Sequence, residues 1–270
     1  MRWPKTPLTN VPGSLRTALF RGTIGVLVFV TAAFGADIRV MNSGAFTAPY
    51  LHVVPEFERT SHNKIITAYG ASMGNAPDSI PSRLERGEAA DVVILAAPAL
   101  DELIKHGKVV PGSRVDLVRS SIGVAVRAGA AKPDISSVDA LKRTLLEAKS
   151  IAYSASASGV YLSQELFQRL GIAQQIMDKC KRIANEPVGA VVARGDAEIG
   201  FQQISELLPV AGITYVGPLP PGAQKVTVFS AGVAVGAKEP AAARALIQFL
   251  ASPAAVHAII QSGLEPVAAH

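Results

Sequence analysis

Hydroxyl and amide side chains crowd three short turns of this sequence: Asn42-Ser43-Gly44-Ala45, YGASMGNAPDS (69–79) and YSASASG (153–159). Each follows an apolar segment and leads toward a helical pattern. Such a turn leaves the first N–H groups of the helix without partners and facing outward, an arrangement that suits an anion. Small residues let a ligand approach the backbone, and hydroxyls add donors. An ordinary helix cap favours the same residue types, so one such turn says little. Three of them at the carboxyl ends of strands in open parallel sheets would meet in the crevice where ligands sit. None of the three carries lysine or arginine. The chemistry they suggest is capture of a small anion by neutral donors. About five charge-assisted hydrogen bonds at ~1.5 kcal/mol each give roughly 7.5 kcal/mol, near micromolar affinity before ordering costs.

Signatures of catalysis are few. The sequence has no phosphate-binding G-x-x-x-x-G-K-[ST] loop, no G-x-G-x-x-G after a strand and no H-E-x-x-H; Gly70-Ala71-Ser72-Met73-Gly74 spells G-x-S-x-G after a strand, but the string alone does not make a nucleophile elbow without a base. The acids fall mostly on helix faces, where a solvated role is expected. The histidines, at positions 52, 62, 106, 257 and 270, share no ligand spacing, so neither a metal nor a cofactor is expected. A serine hydrolase built on Ser43 or Ser72 would need a nearby base, and the sequence supplies no obvious histidine for it. Cys180 is the single cysteine, which excludes an internal disulfide; in QQIMDKCKRIAN it reads as a half-buried helical thiol. The expectation is binding without catalysis.

The elements that must position these turns are short apolar runs alternating with helical patterns, which argues for mainly parallel sheets flanked by helices. Strands are expected at 37–42, 64–70, 91–97, 121–129, 150–154, 198–203, 212–217 and 225–237. SSVDALKRTLLEAKS starts at a serine cap and places Val138, Leu141 and Leu145 on one stripe, and EPAAARALIQFLAS does the same with Ala242, Leu246 and Leu250. Pro55, inside APYLHVVPEFER, predicts a kink or a late helix start. Two passages echo each other: LERGEAADVVI (84–94) and VARGDAEIGF (192–201) each pass through Arg-Gly into a strand. SGAFTAPY (43–50) and SASGVYLS (156–163) echo likewise, in the same order. Two lobes of like construction explain both pairs. VRSSIGVAVRAG and the run VTVFSAGVAVGA would cross between the lobes and form a hinge. The boundaries expected are residues 36–118 plus 226–270 for lobe I and 119–225 for lobe II.

At 270 residues with 49% apolar composition, the chain can bury a substantial core. Its basic pI is misleading, because Arg2, Lys5, Arg16 and Arg21 are the only charges in residues 1–35. Setting those four aside leaves 22 of the 26 bases against 21 acids, which removes the argument for nucleic acid. The same 35 residues have a basic start, the apolar run GTIGVLVFVTAAF and small residues at Ala33 and Gly35. That is the pattern of a secretory signal cleaved after Gly35 or Ala36, and the run is shorter than the roughly 20 residues a spanning helix needs. A periplasmic protein is expected.

The stretches IRVMNSGAFTAPYLHVVPEFE, ITAYGASMG, IPSRLERGEAADVVILA, ASGVYLSQELFQRLG and VVARGDAEIGFQQISEL resemble, in order and spacing, the periplasmic molybdate-binding proteins, the soluble components of ABC importers. The resemblance covers nearly all of residues 37–268. It implies a two-lobed α/β fold of the type II periplasmic binding class, a monomer that traps a tetrahedral oxyanion by neutral hydrogen bonds and delivers it to an ABC permease in the inner membrane. One of the family's ligand serines falls on Ser72. The other falls on Ala45, where the hydroxyl is missing, and Ser43 in the turn with Asn42 is the replacement candidate. The backbone donor at the start of the second-lobe helix falls on Ser158, followed by Gly159, and a further backbone position falls near Asn185. The family's tyrosine hydroxyl falls on Gln203, or Gln202 one residue away. The departures at Ala45 and Gln203 would also suit another oxyanion, a carboxylate or a small organic solute, in a receptor or a periplasmic sensor subunit.

Overall fold

The structure is a computed structural model that describes residues 35–267. The proposed signal lies almost wholly in residues 1–34, outside the described residues. Among the described residues eleven strands form two sheets. The first contains β1 (Asp37–Ser43), β2 (Lys64–Gly70), β3 (Val92–Ala96), β4 (Val115–Ser120), β10 (Thr227–Val233) and β11 (Glu265–Pro266), in the order β11-β4-β10-β3-β1-β2. The second contains β5 (Ile122–Arg127), β6 (Ile151–Ser154), β7 (Cys180–Ile183), β8 (Ile199–Gln203) and β9 (Ile213–Pro218), in the order β7-β6-β8-β5-β9. Around the first sheet pack α1 (Thr47–Ser61), α2 (Ile80–Glu85), α3 (Ala97–Lys105), α10 (Pro240–Leu250) and α11 (Pro253–Gln261). The second carries α4 (Val138–Glu147), α5 (Ala157–Tyr161), α6 (Phe167–Arg169), α7 (Ala173–Ile176), α8 (Val188–Arg194) and α9 (Ile204–Leu207).

The parallel expectation holds for β2-β1-β3 and for β7-β6-β8, whose central strands pair in parallel with both neighbours. The remaining named strand pairs, made by β10 with β3 and β4, β11 with β4, and β5 with β8 and β9, are antiparallel, so both sheets are mixed. The antiparallel strands include those that carry the chain across. β4 ends at Ser120 in one sheet and β5 begins at Ile122 in the other, and the return runs from β9 to β10. Because the two parallel triplets share one strand order, the carboxyl ends of β1 and β2 in one lobe answer those of β6 and β7 in the other. Gly87 (φ 77°) and Gly195 (φ 85°), which follow the two Arg residues of the echoed passages, both take the left-handed conformation just before β3 and β8.

Each sheet has apolar cover on both faces, which is why β3, VVILA, is buried along its whole length. Val92, Ile94 and Ala96 face Phe46, Tyr50, Phe229 and Leu246, while Val93 and Leu95 face Ile80, Leu100 and Leu103. In the second lobe Ile122, Leu141, Leu145, Phe167 and Phe201 form the main core, with Val188, Val191 and Val192 on the opposite side.

Three expectations change. α1 runs unbroken through Pro55 and starts at Thr47, with no late start. Pro55 sits on the exposed face, where the carbonyl that loses its helical donor can be hydrated. Cys180 opens β7 instead of lying in a helix, because α7 and a single 3-10 turn end at Lys179; the thiol is half-buried, and burial raises its pKa. The long last strand is confined to Thr227–Val233, followed by an isolated bridge from Ala234 to Val109.

At the end of β6 the chain turns into α5 so closely that a Cβ on Gly159 would overlap the Ser154 carbonyl oxygen. Gly171 needs its positive φ of 68° but has open space around it. Gly159→Ala should therefore cost about 3 kcal/mol in urea unfolding, against about 1–2 kcal/mol for Gly171→Ala. Equal costs would show that α5 is not pressed onto the strand end.

Candidate functional site

The ends of β1, β2, β6, β7 and β8 surround a cleft of about 240 Å³. Ser43, Ala45, Ser72, Ser158, Asn185 and Gln203 all line it. Asn42 does not. Side chains alternate along β1, so Asn42 points away from the wall that Ser43 joins; it is buried, and its Nδ2 donates to Thr47 Oγ1 at 3.3 Å. Asn185 is exposed at the mouth.

Most donors are held by a second bond. Ser72 Oγ accepts the Ala96 N–H at 3.0 Å, which leaves its own hydrogen to donate. Its N–H reaches across to Ser156 Oγ in the other lobe at 3.2 Å. Ser154 and Ser158 share a hydroxyl contact of 3.0 Å. Gln203 Oε1 accepts the Ser120 hydroxyl at 2.8 Å. Gln203 Nε2 and Ser43 Oγ are buried and find no hydrogen-bond partner among the described residues. An unmet buried donor costs about 1–3 kcal/mol. The two together mark where a ligand's acceptor atoms would go.

The expectation of an uncharged wall needs correction, because Asp78, Glu186 and Glu206 also line the cleft. Glu186 is exposed and paired with Arg194 at 2.7 Å. Asp78 comes from the turn after β2, and its Oδ1 is buried without a partner among the described residues. Glu206 is the residue that sequence reasoning missed. It projects from α9, the short helix that directly follows β8, and packs against Gly44, where a Cβ would overlap its Oε1. Gln202 Nε2 donates to that same oxygen at 2.9 Å, while Gln202 Oε1 accepts the Val188 N–H at 2.9 Å. Enclosure by protein pushes the Glu206 carboxyl up to about 7, and the Gln202 hydrogen bond offsets only part of that. A carboxyl poised there can take up and return a proton near neutrality. The available signal was its place, three residues beyond the end of a strand that meets the crevice.

The crossing strands brace this corner. Ser205 Oγ donates to the Ala45 carbonyl at 2.7 Å, and the Ile204 N–H donates to the Ser121 carbonyl at 3.0 Å. Two lobes of matching topology, joined by two crossings with a cleft lined from both sides, form the fold of the type II periplasmic binding class. The chain belongs to the bacterial extracellular solute-binding proteins, whose family it matches over residues 38–265. The solved periplasmic molybdate-binding protein of Azotobacter vinelandii shares the fold, with TM-score 0.66 at 19% identity over 86% of this chain and 100% of that one. In sequence, a molybdate-binding protein of Azotobacter vinelandii is 27% identical over 240 residues, 85% of this chain and 90% of its own length. A Pseudomonas protein named aconitate isomerase is 50% identical over 232 residues, 86% of this chain and 88% of its own length. That relationship overturns the expectation of binding without catalysis. Sequence signatures of nucleophile and metal chemistry do not report on a carboxyl that moves a proton, which needs neither.

A raised carboxyl has a stability signature. Glu206 has an ordinary value of 4.5 unfolded and about 7 folded, so as pH rises the unfolded chain releases its proton first. Stability is therefore lost between about 4.5 and 7 and levels off above. Glu206→Gln removes this loss. The variant's melting temperature should gain on the wild type by several degrees across that window, with a constant gap above it. A gap that does not change with pH would show that the carboxyl is not raised by its surroundings.

Proposed function

We propose that this chain is an exported isomerase of aconitate or a closely similar unsaturated polycarboxylate, in which Glu206 moves the proton. The observation that carries the reading is the half-buried Glu206 carboxyl, raised by desolvation, lining the same cleft as unmet neutral donors from both lobes. The 50% identical relative named aconitate isomerase supports the substrate class. A cleft of about 240 Å³ has room for such an acid.

The chemistry follows from the substrate's symmetry. Aconitate has a central carbon that bears a carboxylate and joins a CH= group on one side to a CH₂ group on the other, each carrying its own carboxylate. Removing a proton from the CH₂ group gives an allylic anion whose charge spreads into the carboxylates. Returning the proton to the former CH= carbon shifts the double bond by one position. The ends exchange roles, the composition is unchanged, and the new double bond can form in the other geometry. Glu206 takes the proton in its ionised form and returns it from its neutral form. Ser43 Oγ, Ser72 Oγ and Gln203 Nε2 donate to carboxylate oxygens on which charge grows. Because these donors are neutral, they leave the Glu206 value near neutrality instead of drawing it down as a lysine or arginine would. Arg182, whose Nη2 donates to the Ala155 carbonyl at 3.3 Å, brings a cation to this part of the second lobe and favours approach of a polyanion. Export follows from the basic-apolar-small pattern of residues 1–35.

Delivery of molybdate or a related oxyanion to an ABC permease is the second reading. The hydroxyls of Ser43, Ser72 and Ser158 and the molybdate-binding relative favour it. Asp78 and Glu206 weigh against it, since an oxyanion without a proton to exchange gains nothing from carboxyls beside it.

Glu206→Gln should lower kcat for trans-to-cis aconitate conversion by about 10²–10⁴-fold while the saturated analogue tricarballylate still binds. In the wild type, kcat/KM should fall as pH drops through about 7, because the proton acceptor becomes protonated. A bound polyanion raises that carboxyl further, so the limb in kcat should lie at higher pH than the limb in kcat/KM. Wild-type protein that binds molybdate but leaves aconitate unchanged would establish the second reading instead.

A further inference from the structure

Resting on the isomerase reading, we propose that Ser120 is a positioning residue that fixes the Gln203 amide so that its NH₂ group, together with the Ser43 hydroxyl, receives a carboxylate of the substrate as charge develops on it. Ser120 is the last residue of β4, fully buried, immediately before the crossing into the second lobe. Its hydroxyl donates to Gln203 Oε1 at 2.8 Å. An amide presents an acceptor oxygen on one side and a donor NH₂ on the other. Holding the oxygen from behind therefore leaves only the donor for the cleft.

Gln203 is held at its backbone as well. It pairs with Ile122 across the two strands that meet at the crossing, and the next N–H, of Ile204, is taken by the Ser121 carbonyl. The amide thus stands on the crossing segment itself. Gln203 Nε2 and Ser43 Oγ, the two donors among the buried polar atoms left unmet, come from opposite lobes, one from the end of β8 and the other from the end of β1. Without Ser120 the Gln203 oxygen loses its partner behind the cleft, and the amide is free to turn and present that oxygen to a carboxylate. The loss should be felt most where the carboxylate carries extra charge, which places it in kcat more than in KM.

The test uses the mature protein and the variants Ser120→Ala and Ser120→Thr, with kcat and KM for trans-aconitate, Kd for tricarballylate and the melting temperature of each. Ser120→Ala should lower kcat about tenfold, the worth of one hydrogen bond to a charged group, with a smaller change in KM and in tricarballylate Kd. Ser120→Thr, which keeps the hydroxyl, should recover most of the rate. A Ser120→Ala variant that melts lower but retains wild-type kcat overturns the positioning role and leaves the isomerase reading standing. A rate loss that Ser120→Thr fails to recover, with a normal melting temperature, also overturns it. If the wild type itself does not convert aconitate, the isomerase reading fails and this inference falls with it.

Discussion

Desolvation of a single carboxyl is the constraint on which the site turns. A glutamate side chain leaves water at a cost unless a cation or several donors compensate, and the hydrogen bond to Glu206 given by the described residues is the one from Gln202. The protein accommodates the group by letting it keep a proton longer. That choice depends on two neighbours far apart in sequence. Gly44, at the end of β1, has no side chain to push the carboxyl back toward solvent, and the Val188 N–H holds the Gln202 amide so that its NH₂ faces the acid. The cores of the two lobes, with Phe46, Phe229, Phe167 and Phe201 fully enclosed or nearly so, are large enough to carry that local cost.

The architecture supplies the rest. A β2-β1-β3 triplet in one lobe and a β7-β6-β8 triplet in the other turn their carboxyl ends to one crevice, so a guest meets donors from both. Neutral donors serve two kinds of guest equally well. They can replace the hydration shell of an oxyanion, and they can receive charge that appears only during proton transfer. The difference between a carrier and an enzyme on this scaffold then reduces to whether a titratable group stands inside the ring. The chain is similar both to a molybdate-binding protein and to a protein named aconitate isomerase, and on the proposed reading Glu206 is what would let the cleft act as the latter.

Much of this was legible in the sequence. The Ser- and Gly-rich turns, the alternation of strand and helix, and the two echoed passages point to the lobes and the crevice because they are local patterns repeated. Ser43, Ser72 and Ser158 reach the same cleft for that reason, joined by Gln203, to which only the family resemblance pointed. Other elements carried weak local signals. β4 contains Asp116 and Arg119, charges that break an apolar run, and Asp116 is met by Arg114 and Ser230 in the folded protein. β7 has four residues, two of them exposed cations, at the edge of its sheet, so it resembles the end of the preceding helix. Glu206 was hidden for a different reason. In FQQISEL it looks like any acid on a short helix, and what makes it unusual is Gly44, more than 160 positions earlier. Ser120 was hidden likewise, since its partner Gln203 lies 83 positions away.

The proposed chemistry of the cleft rests on the ionisation of Glu206, which carbon NMR of protein labelled at the glutamate carboxyl carbon reads directly. One glutamate signal should titrate with a midpoint near 7, be missing in Glu206→Gln and be displaced when tricarballylate fills the cleft. A wild-type titration in which no glutamate changes above its ordinary value of 4.5 would contradict it.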